Sequence, residues 1–371
     1  MTTAPDVVIV GGGVVGAACA RQLALAGRRV RLIERSSAGA PGGGEAWRAS
    51  AGMLAPQIEV PVDDVLFELG IAGREFYREN AGALREATGI DIGLNEGGIL
   101  QTASSDAEVE TLRERVAWQR QHGHHCEWLD PEEVTRDWPW LAPTQGGLLA
   151  PRDGYLDPVR LVEALRADAI RLGTQLVHDR ITALTRSNGK ATGVQGREWH
   201  PAEQVVLAAG AWSGRIVNLP RPISVEPVRG QLIAYAWPAG AQPATVFGHG
   251  GYLLPRGGEA IAGSTMEHAG FVADVTEAGI ASIRARVERL VPALREASIL
   301  RAWAGLRPGT PDGRPIVGGE PELAGLWYAT GHGRNGVLYA GVTGKIIEDM
   351  LSGEPTFEET AVLRPERFWS W

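Results

Sequence analysis

The sequence predicts an α/β protein, a doubly wound sheet with an antiparallel sheet interleaved into it. Three observations carry that expectation. Residues 7–34 run strand, glycine turn, helix and strand, in the order of a βαβ unit. Related strand and helix patterns return in the middle and at the end of the chain. Between those pieces lie alternating apolar and polar runs joined by turn residues, the mark of antiparallel strands.

The βαβ unit comes first. Val7 to Val10 is an unbroken apolar run, as a strand buried on both faces requires. Gly11-Gly12-Gly13-Val14-Val15-Gly16 fits G-x-G-x-x-G, and an Ala/Leu-rich helix follows to about Gly27. A second strand, Val30 to Ile33, ends at Glu34. Each part has a physical job in a dinucleotide site. Gly11 permits the tight turn, Gly13 lets backbone N–H groups approach a pyrophosphate, and Gly16 lets helix and strand pack closely. The helix N-terminus adds unpaired N–H groups and a partial positive charge. Glu34, 18 residues after Gly16, can accept hydrogen bonds from a ribose. An acid there disfavours a 2′-phosphate, which selects NAD or FAD over NADP. An ordinary βα turn explains the glycines alone, but not the whole series.

After Glu34 comes a glycine-rich loop, Ala38 to Gly44, and then Arg48-Ala49-Ser50-Ala51-Gly52-Met53-Leu54, whose small residues let backbone lie close to a flat ligand. Residues 62–88 and 106–121 pattern as amphipathic helices. The second leads into His122-Gly123-His124-His125-Cys126. Imidazoles near a helix C-terminus are explained by its dipole, and no supporting acidic or Cys/His cluster argues for a metal. Asp157-Pro158 reads as an N-cap with proline at N1, opening a helix to about Gly173. Strand patterns follow at 174–186, 191–196 and 204–208, with a turn at Ser187-Asn188-Gly189-Lys190. Alternating segments at 223–236 and 250–265 predict the antiparallel sheet, 276–290 a helix, 325–330 a strand and 336–352 a last helix. The expected division is 1–60, 145–222 and 300–371 for a cofactor domain, with 61–144 and 223–299 for a substrate domain.

Composition narrows the function. With 371 residues the chain can bury two sizeable cores. A net charge of −8, without a basic tract interleaved with aromatics, argues against nucleic acid. The two cysteines, Cys19 and Cys126, form no C-x-x-C pair, which fits a reducing compartment. The first strand begins close to Met1, leaving no room for a signal peptide, and no apolar run is long enough to span a bilayer. A cytoplasmic protein is expected.

Further motifs make the expectation specific. The chain carries SAGMLAPQIE at 50–59, VVLAAGAWSG at 205–214, YLLPR at 252–256, AGLRPGTPDGRPIVG at 304–318 and ATGHGRNGVLYAGVTG at 329–344. With the opening fingerprint, these resemble the D-amino acid oxidase family of flavoproteins, glycine oxidases above all, in family order over nearly the whole chain. The resemblance implies a Rossmann-like FAD-binding domain with the interleaved substrate domain, and noncovalent FAD. It implies oxidation of a small amine or amino acid by hydride transfer from Cα to flavin N5. The imine then hydrolyses to glyoxylate and ammonia, or is captured in thiazole synthesis, and dioxygen is reduced to hydrogen peroxide. A homo-oligomer is compatible with such an enzyme.

The resemblance also assigns residues. Arg307 in GLRPG becomes the carboxylate clamp, since guanidinium offers the paired parallel donors a carboxylate needs. Arg334 becomes a substrate-side residue, and Tyr252 and Met266 face the pocket. A loop arginine, a core tyrosine and a core-filling methionine are the plain alternatives. Implied flavin contacts are Gly11, Gly13, Val14, Val15, Gly16, Glu34, Arg35, Ala46, Trp47, Ala51, Gly52, Met53 and Ile181, together with His332, Gly333, Arg334, Asn335, Gly336, Val337 and Leu338. Three positions depart from the family: Trp47 replaces a small hydroxyl residue, Gly250 a histidine and Gly333 an aromatic. Gly250 and Gly333, the smaller replacements, imply a roomier or wetter pocket, and Trp47 could stack on or cover the cofactor. Two other enzyme readings stay open, a D-amino acid oxidase or dehydrogenase passing electrons to oxygen or a quinone, and a NAD dehydrogenase. A flavin module acting on modified tRNA is the non-enzymatic one.

Overall fold

A computed structural model describes residues 4–36, 43–356 and 358–368. Most of the glycine-rich loop after Glu34 lies outside the described residues.

The opening residues form β1 (Val7–Val10), α1 (Val14–Leu25) and β2 (Val30–Glu34). The six-stranded sheet runs Ile316–Gly319, Leu326–Thr330, Gln204–Leu207, β1, β2, Gln175–His178. It is parallel except for the Ile316–Gly319 pairing. Side chains of β1 alternate between two cores, Val7 and Ile9 into one and Val8 and Val10 into the other. Both faces are covered, so the strand reads as a continuous apolar run. β1 sits between β2 and Gln204–Leu207, where the strand order reverses and an open α/β sheet places its ligand crevice.

The second sheet has eight strands in the order Ile299–Gly309, Glu226–Ala236, Glu259–Gly263, Gly251–Arg256, Thr245–Gly248, Ile99–Thr102, Gly147–Ala150, Glu127–Leu129. All its pairings are antiparallel except that of Thr245–Gly248 with Ile99–Thr102. The fold is the expected α/β class with an interleaved, mostly antiparallel sheet. The expected segment boundaries differ from the sheets in three places. Gly147–Ala150 and Ile299–Gly309 pair in the eight-stranded sheet, not with the cofactor part. Helix Val65–Thr88 buries Leu69, Tyr77 and Leu84 in the core beside β1, packing on helices Pro158–Arg171 and Gly336–Ser352. A helix has no sheet to declare its side; only its partner surfaces do, and these are remote in sequence.

The Asp157 cap and the Asn188-Gly189 turn take the expected form. Asp157 caps helix Pro158–Arg171, accepting N–H bonds from Val159 and Arg160 at 2.9 and 3.2 Å. Asn188 and Gly189 both take positive φ, 50° and 72°, as a two-residue hairpin turn demands. The histidine run ends in surface pairs, His122 with Asp63, His124 with Glu68 and His125 with Glu127. Among the described residues no group of three His, Cys, Asp or Glu side chains is placed to hold a metal. No described helix is long and apolar enough to cross a membrane.

Candidate active site

A cavity of about 540 Å³ runs from the β1–α1 turn to the face of the eight-stranded sheet. Its wall takes in every residue expected at the site except Gly16, Asn335 and Leu338. Gly16 instead makes the turn possible, since a Cβ there would collide with the Gly11 carbonyl oxygen. Leu338 packs on Gly70 and Gly73 of helix Val65–Thr88. The Asn335 carbonyl accepts from Tyr339 N at 3.0 Å, opening helix Gly336–Ser352.

At the nucleotide end, Glu34 is buried and accepts the Gly12 N–H at 2.9 Å and the Ser36 N–H at 3.0 Å. Arg166, unforeseen from the sequence, reaches in from helix Pro158–Arg171. It donates to the Gly12 carbonyl at 2.8 Å and to Glu34 at 3.3 Å. The carboxylate keeps free lone pairs for hydroxyl donors. Arg35 stacks over the Trp212 ring at 3.7 Å and pairs with Glu45 at 3.1 Å. Ile181 lies on the same wall. Trp47 is only 7 % exposed, its ring between the guanidinium groups of Arg48 and Arg166, centroid distances 4.3 and 5.6 Å. Its edge rests against Gly13, 3.5 Å from where a Cβ would stand.

At the other end Arg307 projects from strand Ile299–Gly309. GLRPG is therefore no loop: Pro308 is tolerated because this strand is the sheet edge. Arg307 donates to the Thr265 carbonyl at 3.0 Å and to Ser264 Oγ at 3.1 Å. It crosses the neighbouring strand at Gly230, where any Cβ would overlap the guanidinium. Burial pulls its pKa below the usual arginine value, although it remains a cation. Among the described residues it has no carboxylate partner. Tyr252 lies flat on Gly263 and 5.4 Å from the Phe247 ring, and burial pushes its phenol up to about 12. It stays protonated and can donate. Met266 is no core filler, being 62 % exposed on the open side of the cavity.

Arg334 differs from Arg307. Its Nη2 lies 2.6 Å from Glu59 Oε1, a carboxylate that sequence reasoning did not place at the site. Arg256 of YLLPR donates to the Ala51 carbonyl at 2.8 Å and so fixes the SAGM turn. His332 is buried and hydrogen-bonded to Thr343 at 2.9 Å, and burial drives its pKa down to about 3. It is neutral at pH 7 and cannot supply a cation. Because the unfolded chain binds that proton from pH 6.5 downward and the folded one does not until about 3, stability falls on acidification. The expected slope is about 1.4 kcal/mol per pH unit below 6.5, and a His332→Gln variant should lose that portion of the acid limb in urea titrations at stepped pH.

The residues present fit FAD. Two buried polar atoms on the wall's margin have no partner, Trp47 Nε1 beside Gly13 and Asn335 Oδ1 beside the last helix. The first turn of helix Gly336–Ser352 has no side-chain cap, and its residues Gly336 and Val337 line the cavity. The indole N–H is a donor without an acceptor at the fingerprint, and the Asn335 amide oxygen is an acceptor without a donor; the former suits an anionic dinucleotide and the latter a ring with N–H edges. No cysteine lies on the wall.

The comparisons agree with the geometry. The family of FAD-dependent oxidoreductases described as DAO matches residues 6–350, and the chain belongs to it. FAD is its cofactor, and it is an FAD-dependent amino acid oxidase. The glycine oxidase of Geobacillus kaustophilus is 34% identical over 363 residues, covering 96% of this chain and 95% of the relative. The crystal structure of glycine oxidase from that organism superposes with a TM-score of 0.92 at 32% identity, over 99% of each chain. A bifunctional protein ThiO/ThiG of Synechocystis sp. is 35% identical, covering 99% of this chain and 55% of the relative.

Proposed function

We propose that the chain oxidises glycine and other small amines or amino acids, with Arg307 as the clamp for the substrate carboxylate. The observation that carries this reading is the unpaired guanidinium. A partly buried arginine with no carboxylate of its own is unfavourable unless an anion completes it. A bidentate carboxylate is the anion its geometry fits. Tyr252, protonated beside it, donates to the same acid or to a water. Arg334 lies on the substrate side, and Met266 closes the open edge. When bound, FAD supplies the two-electron acceptor that takes the hydride from Cα. With the amine arriving neutral, the residues then have to pin the acid and hold Cα still. The product imine takes up water to give glyoxylate and ammonia, or is captured in thiazole synthesis, and dioxygen leaves as hydrogen peroxide.

The cofactor side of the proposal rests on Trp47, Glu34, Arg35, Ile181 and the 332–338 turn. The fold divides, in this reading, into a cofactor part (1–60, 145–222 and 300–371) and a substrate part (61–144 and 223–299), amended by the two strands that join the larger sheet and by helix Val65–Thr88, which packs on the cofactor side. Trp47→Phe keeps the ring and removes the donor. Losing a hydrogen bond to a charged group costs about 1.5–3 kcal/mol, so Kd for FAD should rise roughly tenfold to a hundredfold. Quenching of flavin fluorescence on titrating apoprotein reads this, and an unchanged Kd removes the indole from the site.

The substrate is tested by anaerobic addition of glycine, sarcosine and D-alanine to the yellow protein. Bleaching by glycine, with peroxide formed on readmitting air, is expected. Gly250 and Gly333 present no side chains to the cavity, which favours a second reading with larger D-amino acids. Reduction by those substrates alone would select it.

A further inference from the structure

Among the guanidinium groups that line the cavity near Tyr252, Arg307 and Arg334 are not equivalent. Arg307 has no carboxylate among the described residues, while Arg334 is already paired with Glu59. Glu59 ends the four-residue helix Pro56–Glu59, and its side chain is 9 % exposed. So short a helix cannot hold its own geometry. Asp153 accepts the N–H groups of Gln57 and Ile58 at 3.0 and 3.2 Å. Gln119 donates to the Gln57 carbonyl and Arg115 to the Ile58 carbonyl, each at 2.8 Å. These remote side chains fix where the helix ends, and so where its last carboxylate stands.

We propose that Glu59 determines substrate charge: paired with Arg334 and facing the cavity, it admits amino acids with one acid group and excludes those with a second. The proposal rests on the reading of Arg307 as the clamp. With a first carboxylate on Arg307, a second acid group that turns towards its neighbour Arg334 meets that side chain next. It finds that guanidinium neutralised and a carboxylate standing in front of it. Like charges brought together in a partly desolvated cavity repel strongly. Without the Glu59 charge, Arg334 becomes a second anion site within the same cavity.

The test uses holoenzyme and needs no turnover. Acetate and malonate are titrated against the visible flavin spectrum of the wild type and of Glu59→Gln, Glu59→Ala and Glu59→Asp. In either neutral variant the affinity for malonate relative to acetate should rise about tenfold to a hundredfold. Glu59→Asp, which keeps the charge, should retain the wild-type preference. An unchanged ratio in the neutral variants, or a Glu59→Asp protein that behaves like them, overturns the proposal. Acetate that leaves the wild-type spectrum unmoved instead sinks the clamp at Arg307, and this proposal with it.

Discussion

Arg307→Met should lower kcat/KM for glycine by about 3–5 kcal/mol, roughly two to four orders of magnitude, while leaving the fold intact. The side chain makes only two protein hydrogen bonds, to Thr265 and Ser264, and no ion pair among the described residues. In the proposed function its partner is the substrate, so removing it removes the carboxylate's main contact. The same substitution takes an uncompensated cation out of the cavity wall. Thermal stability should hold or rise, the usual exchange between stability and a strained site. Arg307→Lys keeps the charge but loses the fork and should recover only part of the activity. Steady-state kinetics beside a melting curve checks both halves. Near-normal turnover, or a large loss of stability, would make Arg307 a structural residue.

The second large effect is on stability. Asp153 is fully buried, 2.8 Å from Arg74, whose guanidinium also donates to Gln57 at 2.9 Å. The same carboxylate accepts the two backbone N–H groups of the helix that ends at Glu59. Asp153→Ala leaves the buried Arg74 with Glu75, 3.1 Å away, as its remaining carboxylate and orphans both N–H groups. A loss of about 3–5 kcal/mol is expected, the range for breaking a buried pair from one side. Urea unfolding at saturating FAD, identical for both proteins, measures it without confusing cofactor loss with fold loss. A loss below about 1 kcal/mol would mean that the network is dispensable.

Much of this was legible in the sequence because the relevant chemistry is local. The Val7 to Glu34 unit, the Asp157-Pro158 cap and the Asn188-Gly189 turn each declare themselves within a few residues. What stayed hidden depends on contacts between distant segments. Arg166 looks like any helix-surface arginine until helix Pro158–Arg171 is laid beside Gly12 and Glu34. Glu59 acquires meaning only when Arg334, far along the chain, reaches it. Gly230 reads as a weak point in a strand, and only the path of Arg307 across it explains the missing side chain. The loop alternative for Arg307 stayed open because the sequence does not say which strand forms the sheet edge, where Pro308 is tolerated.

The most direct measurement is an experimental structure of the FAD-loaded protein with a small monocarboxylate bound. The acid should lie with both oxygens on the Arg307 guanidinium and Tyr252 close by, its α-carbon facing the ring. An acid seated on Arg334, or held away from both arginines, would contradict the clamp on which the proposed function depends.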